Sequence, residues 1–540
     1  MNMQIKKYKF KVALLSAIFF LSGCSQSFLD TTPEGSIPVD SFYKTDADAK
    51  GAVLGVYDIL QSMYAYDWDS MWMMKTLLSD EIYTGGGHRG DQPPYEEINE
   101  FRYSSSNPVI TWLFQMSYWG IYRANLVIAN IKPESDAKKQ AIAEAKSLRA
   151  MLYFDLVTLW GQVPLVTEPA SSPDQYNQPR AKVADIWAQI EKDLNEAIPD
   201  LPLKSQQSAA DKVRVSKGMA QAMLGKSLLY EKKYADAAAE FQKVIDSGEY
   251  GLISDYSQIL RKGQEFGKES LFEISYSAEK NYDWGNFQWG NNGRNTESNI
   301  HWQLCGPRGD GWFDGGNTGL VAGWGFAYPQ KSLWNAYTAD NDTIRRNAAM
   351  LSEDQLIAHG GKLRNPDQGN SYPWGCEGYI RLKYGSWADE SNTSETSVKE
   401  LNYATNIRLM RYADVLLMAA EAYNRSGQDG KALPLINQVR ARVNLPALTS
   451  SGDQLFADIK NERRLELSFE GVRFQDLVRW GDAKNVLADQ GKMIPEGTFT
   501  NGQEDYMSIS GAGFKDRNVL LPIPEQEISV NPQSSQNDGY

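Results

Sequence analysis

Tryptophan side chains are concentrated in one part of this 540-residue chain. Eight of the fifteen tryptophans lie between Trp284 and Trp387, and the densest run extends from residue 283 to residue 312, where Asn, Asp, Arg and Gly separate the rings. An indole ring offers a flat apolar face to the C–H face of a sugar ring, and nearby Asn, Asp and Arg side chains can bond hydroxyl groups. These residue types, at this spacing, predict a sugar-binding surface.

Several rings must act together in such a surface. If one ring covers on the order of 50 Å² at roughly 25 cal/mol per Å², it contributes only ~1 kcal/mol. Because the tryptophans of this run stand among Gly and Asn without a helical period, we expect them to be exposed. The side chains of this run that are expected to contact the ligand are Asp283, Trp284, Trp289, Trp302, Arg308 and Trp312.

Histidine and cysteine are too scarce for most transition-metal or nucleophilic chemistry. The three histidines are scattered, so neither a zinc site nor a Ser/His/Asp or Cys/His set can be assembled. Cys305 and Cys376 either pair in an oxidising compartment or stay separate, and the sequence does not decide between these states. The aspartates of residues 310–317 are potential calcium ligands, but their spacing matches no known loop and favours a turn. We therefore expect no metal and no cofactor.

The first residues have the pattern of a lipoprotein signal. Four lysines between residues 6 and 11 precede a short apolar run, which ends in Leu-Ser-Gly before Cys24. The run is too short to span a bilayer, so we expect residues 1–23 to be cleaved and Cys24 to carry a lipid anchor. Cleavage removes four lysines and no acid, which leaves 51 basic and 68 acidic side chains and a formal charge of −17. Such a charge argues against nucleic acid as a partner.

Apolar residues recur with helical spacing over much of the chain. This period predicts helices over 46–65, 142–160, 183–197 and 455–479. Residues 281–325 have no sustained period, and they predict long ordered loops of the kind that are often functional.

Two predicted helix pairs, 216–246 and 411–442, share a spacing of small and large residues. Ala237 and Phe241 follow Gly225 by twelve and sixteen residues, and Ala432 and Ile436 follow Ala420 by the same intervals. Small residues at these positions let two helices cross closely while the large residue fills the groove. The spacing predicts helical hairpins of the tetratricopeptide type.

Several longer motifs resemble the SusD/RagB family of outer-membrane lipoproteins from Bacteroidetes. They are FLD with a following proline near the start of the mature chain, EAKSLRAMLYFDLVTLWGQVPLV from Glu144, RYADVLLMAAEAYN from Arg411, ERRLELSFEGVRFQDLVRWG from Glu462, and LPIPEQEISVNP near the end. The resemblance covers nearly all of the mature protein, and the motifs are highly specific as a set.

The resemblance implies a mostly α, SusD-like fold with tetratricopeptide-like helical hairpins and a loop-rich ligand-binding region. After the signal peptide of residues 1–23, it divides the chain into an N-terminal helical part, 24–265, and a C-terminal part, 266–540. The C-terminal part contains the aromatic loops, 281–325, and a helical motif, 411–481. The loop behind Ser79-Asp80-Glu81 should form the other side of the site, and because it lacks tryptophan, its contribution is expected from Tyr83, His88 or Tyr95.

In function, the resemblance implies a surface lipoprotein of the outer membrane. The protein would bind an oligo- or polysaccharide and deliver it to a SusC-like TonB-dependent transporter, without chemistry of its own. A RagB-like lid that binds peptides is the alternative, and a surface glycosidase and a protein-binding repeat scaffold are two further hypotheses. Loops rich in Trp, Asn and Gly favour sugar, since peptide capture relies mainly on backbone partners and mixed pockets.

The motif from Glu462 to Gly481 is expected to be structural. Two pairs of opposite charge stand three residues apart, Arg463 with Glu466 and Arg473 with Asp476, a spacing at which they can pair on a helix. Glycoside hydrolysis needs paired carboxylates, which Glu462, Glu466 or Glu470 could supply, yet nothing in their spacing favours that role.

Overall fold

The computed structural model describes residues 43–65, 68–172, 175–287, 297–392 and 398–540. The signal segment, Cys24 and Trp289 lie outside these ranges. Within them the chain forms eighteen α-helices and eight short strands, and the strands make four separate antiparallel pairs. The predicted mostly α architecture is confirmed.

Three long helices open the fold and pack on one another. Asn107 and Ser135 accept hydrogen bonds from backbone N–H groups at the starts of the second and third, and Gly161, with φ of 76°, ends the third. The elements of this part, in chain order, are α1 (Asp46–Ala65), α2 (Met71–Leu77), β1 (Ile82–Gly85), α3 (Pro93–Asn99), α4 (Pro108–Asn130), α5 (Asp136–Trp160), α6 (Val183–Ala197), α7 (Lys217–Tyr230) and α8 (Tyr234–Asp246).

The middle of the chain is mostly loop, as the missing period in residues 281–325 predicts. Within the described part of 281–325 the only α-helix is one turn long, and strand pairs hold the surrounding loops. In chain order these elements are β2 (Ser270–Ile274), α9 (His301–Leu304), β3 (Phe326–Pro329), α10 (Lys331–Ala339), α11 (Thr343–Ala349), β4 (Met350–Ser352), α12 (Glu353–Ala358), β5 (Tyr379–Arg381) and β6 (Ile407–Arg411). The strand pairs are β1 with β3, β2 with β6, and β4 with β5.

The last part returns to helices and adds one hairpin. Its elements are α13 (Tyr412–Arg425), α14 (Asp429–Arg442), α15 (Gly452–Glu466), α16 (Arg473–Trp480), α17 (Ala483–Val486), β7 (Met493–Thr500), β8 (Gln503–Ser508) and α18 (Glu525–Val530). No helix of the described residues is both long enough and apolar enough to cross a membrane.

Both predicted helical hairpins are present. α7 and α8 pack through Gly225, where an added Cβ would lie 2.8 Å from the ring of Phe241. Ala420 on α13 and Ala432 and Ile436 on α14 are fully buried in the second hairpin. The small residues therefore act as the spacing predicts, by letting the helices of each pair approach closely.

The prediction of one helix over 455–479 is wrong, because the chain breaks it between α15 and α16. Phe469 and Gly471 adopt φ values of 63° and 73°, which no helix contains. Tertiary contacts hold this turn: the indole N–H of Trp72 donates to the carbonyl of Phe469 at 3.0 Å, and Glu81 accepts from the amide of Phe469 at 3.1 Å.

The two expected i,i+3 ion pairs of the motif are also wrong, because these charges bind other partners, most of them outside the motif. Arg463 binds Asp414 on α13 at 2.7 Å as well as Asp476 at 2.8 Å. Glu466 accepts from three buried arginines of three other elements, and Arg473 binds Asp80. Those three arginines are Arg345, Arg411 and Arg442.

These pairs support the structural interpretation of the motif. Glu462 and Glu466 are fully buried and surrounded by guanidinium groups. Burial alone would raise the pKa of Glu466, but the three arginines outweigh it and hold that pKa far below its usual range. A permanently charged, buried carboxylate cannot reach a polysaccharide.

Candidate functional site

The acidic motif at residues 79–81 anchors the start of the candidate site. Asp80 binds Arg473 at 2.8 Å and Arg464 at 3.0 Å, and Glu81 is tied to the turn between α15 and α16. Burial opposes ionisation, but the two arginines hold the pKa of Asp80 below its usual value. Burial and then the charge of Asp80 raise the pKa of Glu81 to about 7. The motif is therefore a support for β1, which follows it directly.

β1 leads into a glycine-rich loop, residues 85–90, that touches the aromatic loops. Gly85 has φ of 71° and lies against Gly325 at the end of the aromatic segment, where a Cβ on Gly85 would collide with the carbonyl oxygen of Gly325. The amide of Gly86 donates to that same oxygen at 2.7 Å. Only glycine fits this crossing, which joins the two segments that sequence analysis expected to meet.

A third loop, residues 371–377, completes the arrangement. A Cβ on Gly375 would lie 2.9 Å from the Cα of Gly85, so the two backbones pass in direct contact. The hairpin of β7 and β8 supports this loop: Tyr372 N–H donates to Gly497 at 2.8 Å, and Gly375 N–H donates to Pro495 at 3.0 Å.

Arg308 lies over the glycine-rich loop. Its guanidinium would be 3.1 Å from a Cβ on Gly87, donates to the carbonyl of Trp324 at 3.1 Å, and binds Asp310 at 2.6 Å. Its side chain is about one quarter exposed. The predicted ligand residue Arg308 is therefore placed at the junction of the loops, with its charge partly accessible.

The glycine-rich loop is held in one conformation by its own side chains. Asp91 accepts from the amide of Gly87 at 2.7 Å, and Glu96 accepts from the amide of Gly90 at 2.7 Å. His88 is exposed at the tip, and its Nδ1 lies 2.8 Å from the carbonyl of Arg89. His88 is therefore accessible to solvent, and its contact with a ligand stays a prediction.

Trp312 links the aromatic segment to the third loop. It is half-buried, and its indole N–H donates to the hydroxyl of Ser371 at 3.4 Å. Asn365 fixes the preceding turn by donating to the carbonyl of Asp310 at 3.2 Å. One edge of the indole is thereby held, while part of its surface stays accessible.

Three further tryptophans belong to this region, although the sequence interpretation did not select them as ligand contacts. Trp324 stacks on Trp68 with ring centroids 5.9 Å apart and an interplanar angle of 25°. Trp374 precedes Gly375 and is half-buried. In the sequence, Trp324 stands between two glycines and Trp374 stands between a proline and a glycine, and both contexts indicate a loop. Trp68 gives no such signal, because its partner is 256 residues away.

Trp302 corrects the expectation that all four tryptophans of the run are exposed. It is fully buried, stacks on Tyr384 at 4.6 Å, and packs edge-on against Trp72 at 5.2 Å. Its indole N–H donates to the carbonyl of Thr405 at 3.2 Å. Because α9 turns this ring inward, Trp302 cannot stack on a ligand.

Trp284 is 56% exposed, as expected, but the turn that carries it is bound to a segment outside the three loops. Asp283 is a turn-forming residue whose carboxylate accepts from the amides of Gly285 and Asn286. The adjacent Tyr282 is bound through its amide to Asn402 at 2.8 Å, in a segment outside the three loops.

Tyr83 and Tyr95, the two tyrosines expected to contact ligand from the loop behind residues 79–81, are held by contacts within the fold. Tyr95 is buried, so the expectation that it contacts ligand is wrong. Tyr83 is half-buried and donates to Glu377 at 3.4 Å, and burial followed by the charge of Glu377 raises its pKa well above the usual value. Its ring lines a separate cleft that also contains Asp80 and Lys492.

The cysteines do not pair: Cys305 and Cys376 are both buried and free. Burial raises the pKa of the Cys305 thiol to about 11, which leaves it protonated.

Asp314 accepts from the amide of Gly316 at 2.9 Å, which is the geometry of a turn. Among the described residues, no group of three or more His, Cys, Asp or Glu side chains is arranged to hold a metal ion.

Two family models match this chain. Residues 268–540 match the model described as SusD family, and residues 27–229 match the model described as starch-binding associating with outer membrane. SusD-like protein P38 of Formosa agariphila is 28% identical over 99% of this chain and 100% of that protein.

Solved structures agree with these matches. A laminarin binding SusD-like protein is 31% identical, has a TM-score of 0.77, and covers 92% of this chain and 100% of its own. Surface glycan-binding protein A from Bacteroides fluxus is 26% identical, with a TM-score of 0.73 and the same two coverages.

Proposed function

The chain belongs to the SusD family, and we propose that it is a cell-surface lipoprotein that captures an oligo- or polysaccharide and passes it to a SusC-like TonB-dependent transporter. The observation that carries the proposal is the convergence of three loops at one surface. There the glycine-rich loop, residues 85–90, contacts Arg308 and Gly375, and partly accessible indoles flank both contacts.

The chemistry of this surface suits a neutral glycan. Indole faces supply apolar contact for sugar rings, while Arg308, Asp310 and His88 supply hydrogen-bonding groups at its centre. Preorganisation strengthens the argument, because glycine contacts and backbone hydrogen bonds fix each loop before any ligand arrives. We name the proposed site, formed by His88, Arg308, Trp312, Trp324 and Trp374, the loop platform.

A binding role is favoured over hydrolysis. Carboxylates of the three loops have partners: Asp310 binds Arg308, Asp91 accepts from the amide of Gly87, and Glu377 accepts from the amide of Lys331 and the hydroxyl of Tyr506. Glycosidases use a pair of free carboxyl groups on either side of the scissile bond. The glutamates that sequence analysis considered for that role are buried among arginines.

β-Glucan is the first ligand class to test. The solved relative that shares 31% identity is described as laminarin binding, and the match covers 92% of this chain and 100% of that protein. We therefore propose laminarin as the leading candidate.

The test is a binding screen followed by calorimetry. Affinity electrophoresis should compare laminarin with starch, xylan, mannan and galactan, and a peptide mixture tests the RagB-like alternative. We expect retardation by at least one glycan, and Trp312→Ala or Trp374→Ala should weaken it. Trp480→Ala, which removes a half-buried indole from α16, is the matched control and should bind as wild type. Binding of peptides alone would contradict the proposal.

A further inference from the structure

A tyrosine hydroxyl lies between two carboxyl groups beside the loop platform. Tyr506 on β8 donates to Oε1 of Glu377, in the third loop, at 2.7 Å, and its oxygen is 3.3 Å from Oε2 of Glu504 on its own strand. Glu377 comes three residues after Trp374 of the loop platform. We name these three side chains, Tyr506, Glu377 and Glu504, the Tyr506 cluster.

The two carboxyl groups of the cluster have different hydrogen-bond partners. Glu377 also accepts from the amide of Lys331 at 2.7 Å and from the hydroxyl of Tyr83 at 3.4 Å. The carboxyl group of Glu504 has only the contact with Tyr506, and its Oε1 is buried without a hydrogen-bond partner among the described residues. Hydrogen bonds stabilise the ionised form of a carboxyl group, so the negative charge is favoured on Glu377 and the proton on Glu504.

The cations that act on Glu504 do not neutralise it by direct contact. Arg364 binds Glu353 at 2.7 Å, and Lys331 is exposed to solvent. Burial and then the charge of Glu377 accordingly raise the pKa of Glu504 to about 7. The remaining titratable groups that act on Glu504, or on which it acts, add no positive charge; they are Glu377, Tyr83, Cys376, Tyr379 and Tyr506.

The geometry of the cluster requires one more proton than the tyrosine supplies. A tyrosine hydroxyl has one proton and cannot donate it to two carboxylates. The shorter bond, to Glu377, takes that proton, so the contact with Glu504 is a hydrogen bond only when Glu504 is protonated and donates to the tyrosine oxygen. When Glu504 ionises, two negative carboxylates flank one hydroxyl, and their repulsion opposes the contact between β8 and the third loop.

The hairpin that carries the cluster also holds the backbone of the third loop. The amide of Gly375 donates to the carbonyl of Pro495 on β7 at 3.0 Å, and Pro495 lies opposite Tyr506 in the hairpin. Trp374 adjoins this backbone attachment and is three residues from the side-chain attachment at Glu377. A change in the Tyr506 cluster therefore acts on the segment that carries Trp374.

We propose that the Tyr506 cluster positions Trp374 for glycan binding, and that loss of the proton held between Tyr506 and Glu504 weakens this binding at alkaline pH. This proposal rests on the proposed function of the loop platform. The expected loss of affinity is about fivefold, the size that repulsion between two charges about 4 Å apart in water produces.

The first test uses the purified protein without glycan. Nuclear magnetic resonance follows the indole N–H signal of Trp374 and the carboxyl carbon signal of Glu504, assigned with Trp374→Phe and Glu504→Gln, between about pH 5 and pH 9. Both signals should change with one midpoint near pH 7, since the pKa of Glu504 is about 7. The Trp374 signal should no longer show this change in Glu504→Gln. A Glu504 midpoint below about pH 5, or a Trp374 signal that does not change with pH, would overturn the proposal.

The second test is binding calorimetry with laminarin at about pH 6 and pH 8.5. Wild type should bind about fivefold more weakly at the higher pH. Glu504→Gln, whose amide can still donate to Tyr506, should not show this loss, and Tyr506→Phe should bind weakly at both pH values. The imidazole of His88 is present in every one of these proteins, so the difference between the wild-type and Glu504→Gln profiles measures Glu504 alone.

Asp505→Asn is the matched control, because Asp505 is on the same strand but accepts from Thr498 and Thr500 instead. It should keep the wild-type pH profile. Equal pH profiles of wild type and Glu504→Gln would overturn the proposal. If no glycan binds at either pH while the Trp374 signal still follows Glu504, the positioning of Trp374 by the cluster stands and the glycan-binding function fails.

Discussion

Trp302 and Trp312 are ten residues apart in the aromatic segment, and their substitution by alanine should have opposite effects. Trp302 is fully buried between Tyr384 and Trp72, so Trp302→Ala leaves a large cavity and removes one of the two donors to the carbonyl of Thr405. Truncation of a buried aromatic costs about 3–5 kcal/mol. With an unfolding entropy of ~1 kcal/mol per K for about 500 residues, the melting temperature should fall by about 3–5 °C.

Trp312→Ala should instead leave the melting temperature within about 1 °C of wild type, because its indole is half-buried and makes one long hydrogen bond. It should weaken glycan binding about fivefold, the equivalent of ~1 kcal/mol for one stacked ring.

Differential scanning calorimetry and binding calorimetry at 20 °C measure the two effects separately. Trp302→Phe is the control that keeps an aromatic ring in the core, and it should recover most of the stability with unchanged affinity. A Trp302→Ala protein that melts like wild type but no longer binds glycan would refute the assignment of this ring to the core.

Other changes test the remaining parts of the argument. Glu466→Gln should lower stability by about 3–5 kcal/mol, since it leaves three buried arginines undercompensated, and its glycan affinity should not change; an unaltered melting temperature would contradict the network. Because the pKa of Glu81 is raised to about 7 in the folded protein, the folded state binds a proton on Glu81 more tightly than the unfolded state does. The stability that this proton contributes is present below about pH 4.5 and is lost as the pH rises through 7. Thermal melts from pH 4.5 to 8.5 should therefore show the free energy of unfolding of Glu81→Gln rising relative to wild type by up to about 3 kcal/mol toward high pH. A difference between the two proteins that stays constant with pH would contradict the raised pKa of Glu81. Cys24→Ala should release the protein from the membrane fraction, as immunoblots of fractionated cells would show. Purified protein should produce no new reducing ends from any bound polysaccharide, and their appearance, abolished by replacing one carboxylate, would establish a glycosidase.

Helices were predictable where one apolar face is buried along its whole length. The predicted ranges 46–65 and 183–197 agree with α1 and α6, because their pattern of buried residues is periodic. The range 455–479 failed because its apolar period continues through a turn that tertiary contacts impose. Trp72 and Glu81, nearly 400 residues earlier, hold that turn through Phe469, and no local pattern contains this information.

The partners of charged residues were likewise not predictable from sequence spacing. Arg463 and Glu466 have the spacing of an intrahelical pair, yet each binds residues of other helices or strands that the fold brings close. In a buried environment, several well-placed hydrogen bonds outweigh one solvent-exposed pair of neighbours. Spacing alone identifies which residues carry charge, and the fold decides which of them meet.

The loop platform was predictable in its composition but only partly in its members. Gly and Asn around an indole indicate a loop, but a loop has no period from which burial can be inferred, so Trp302 and Trp312 look alike in sequence. Trp374 joins the region because Gly375 and Gly85 lack side chains and their backbones can touch. Residues 290 positions apart become neighbours through that single contact. In this fold, glycines therefore determine where the proposed ligand site forms, and the tryptophans determine what it can bind.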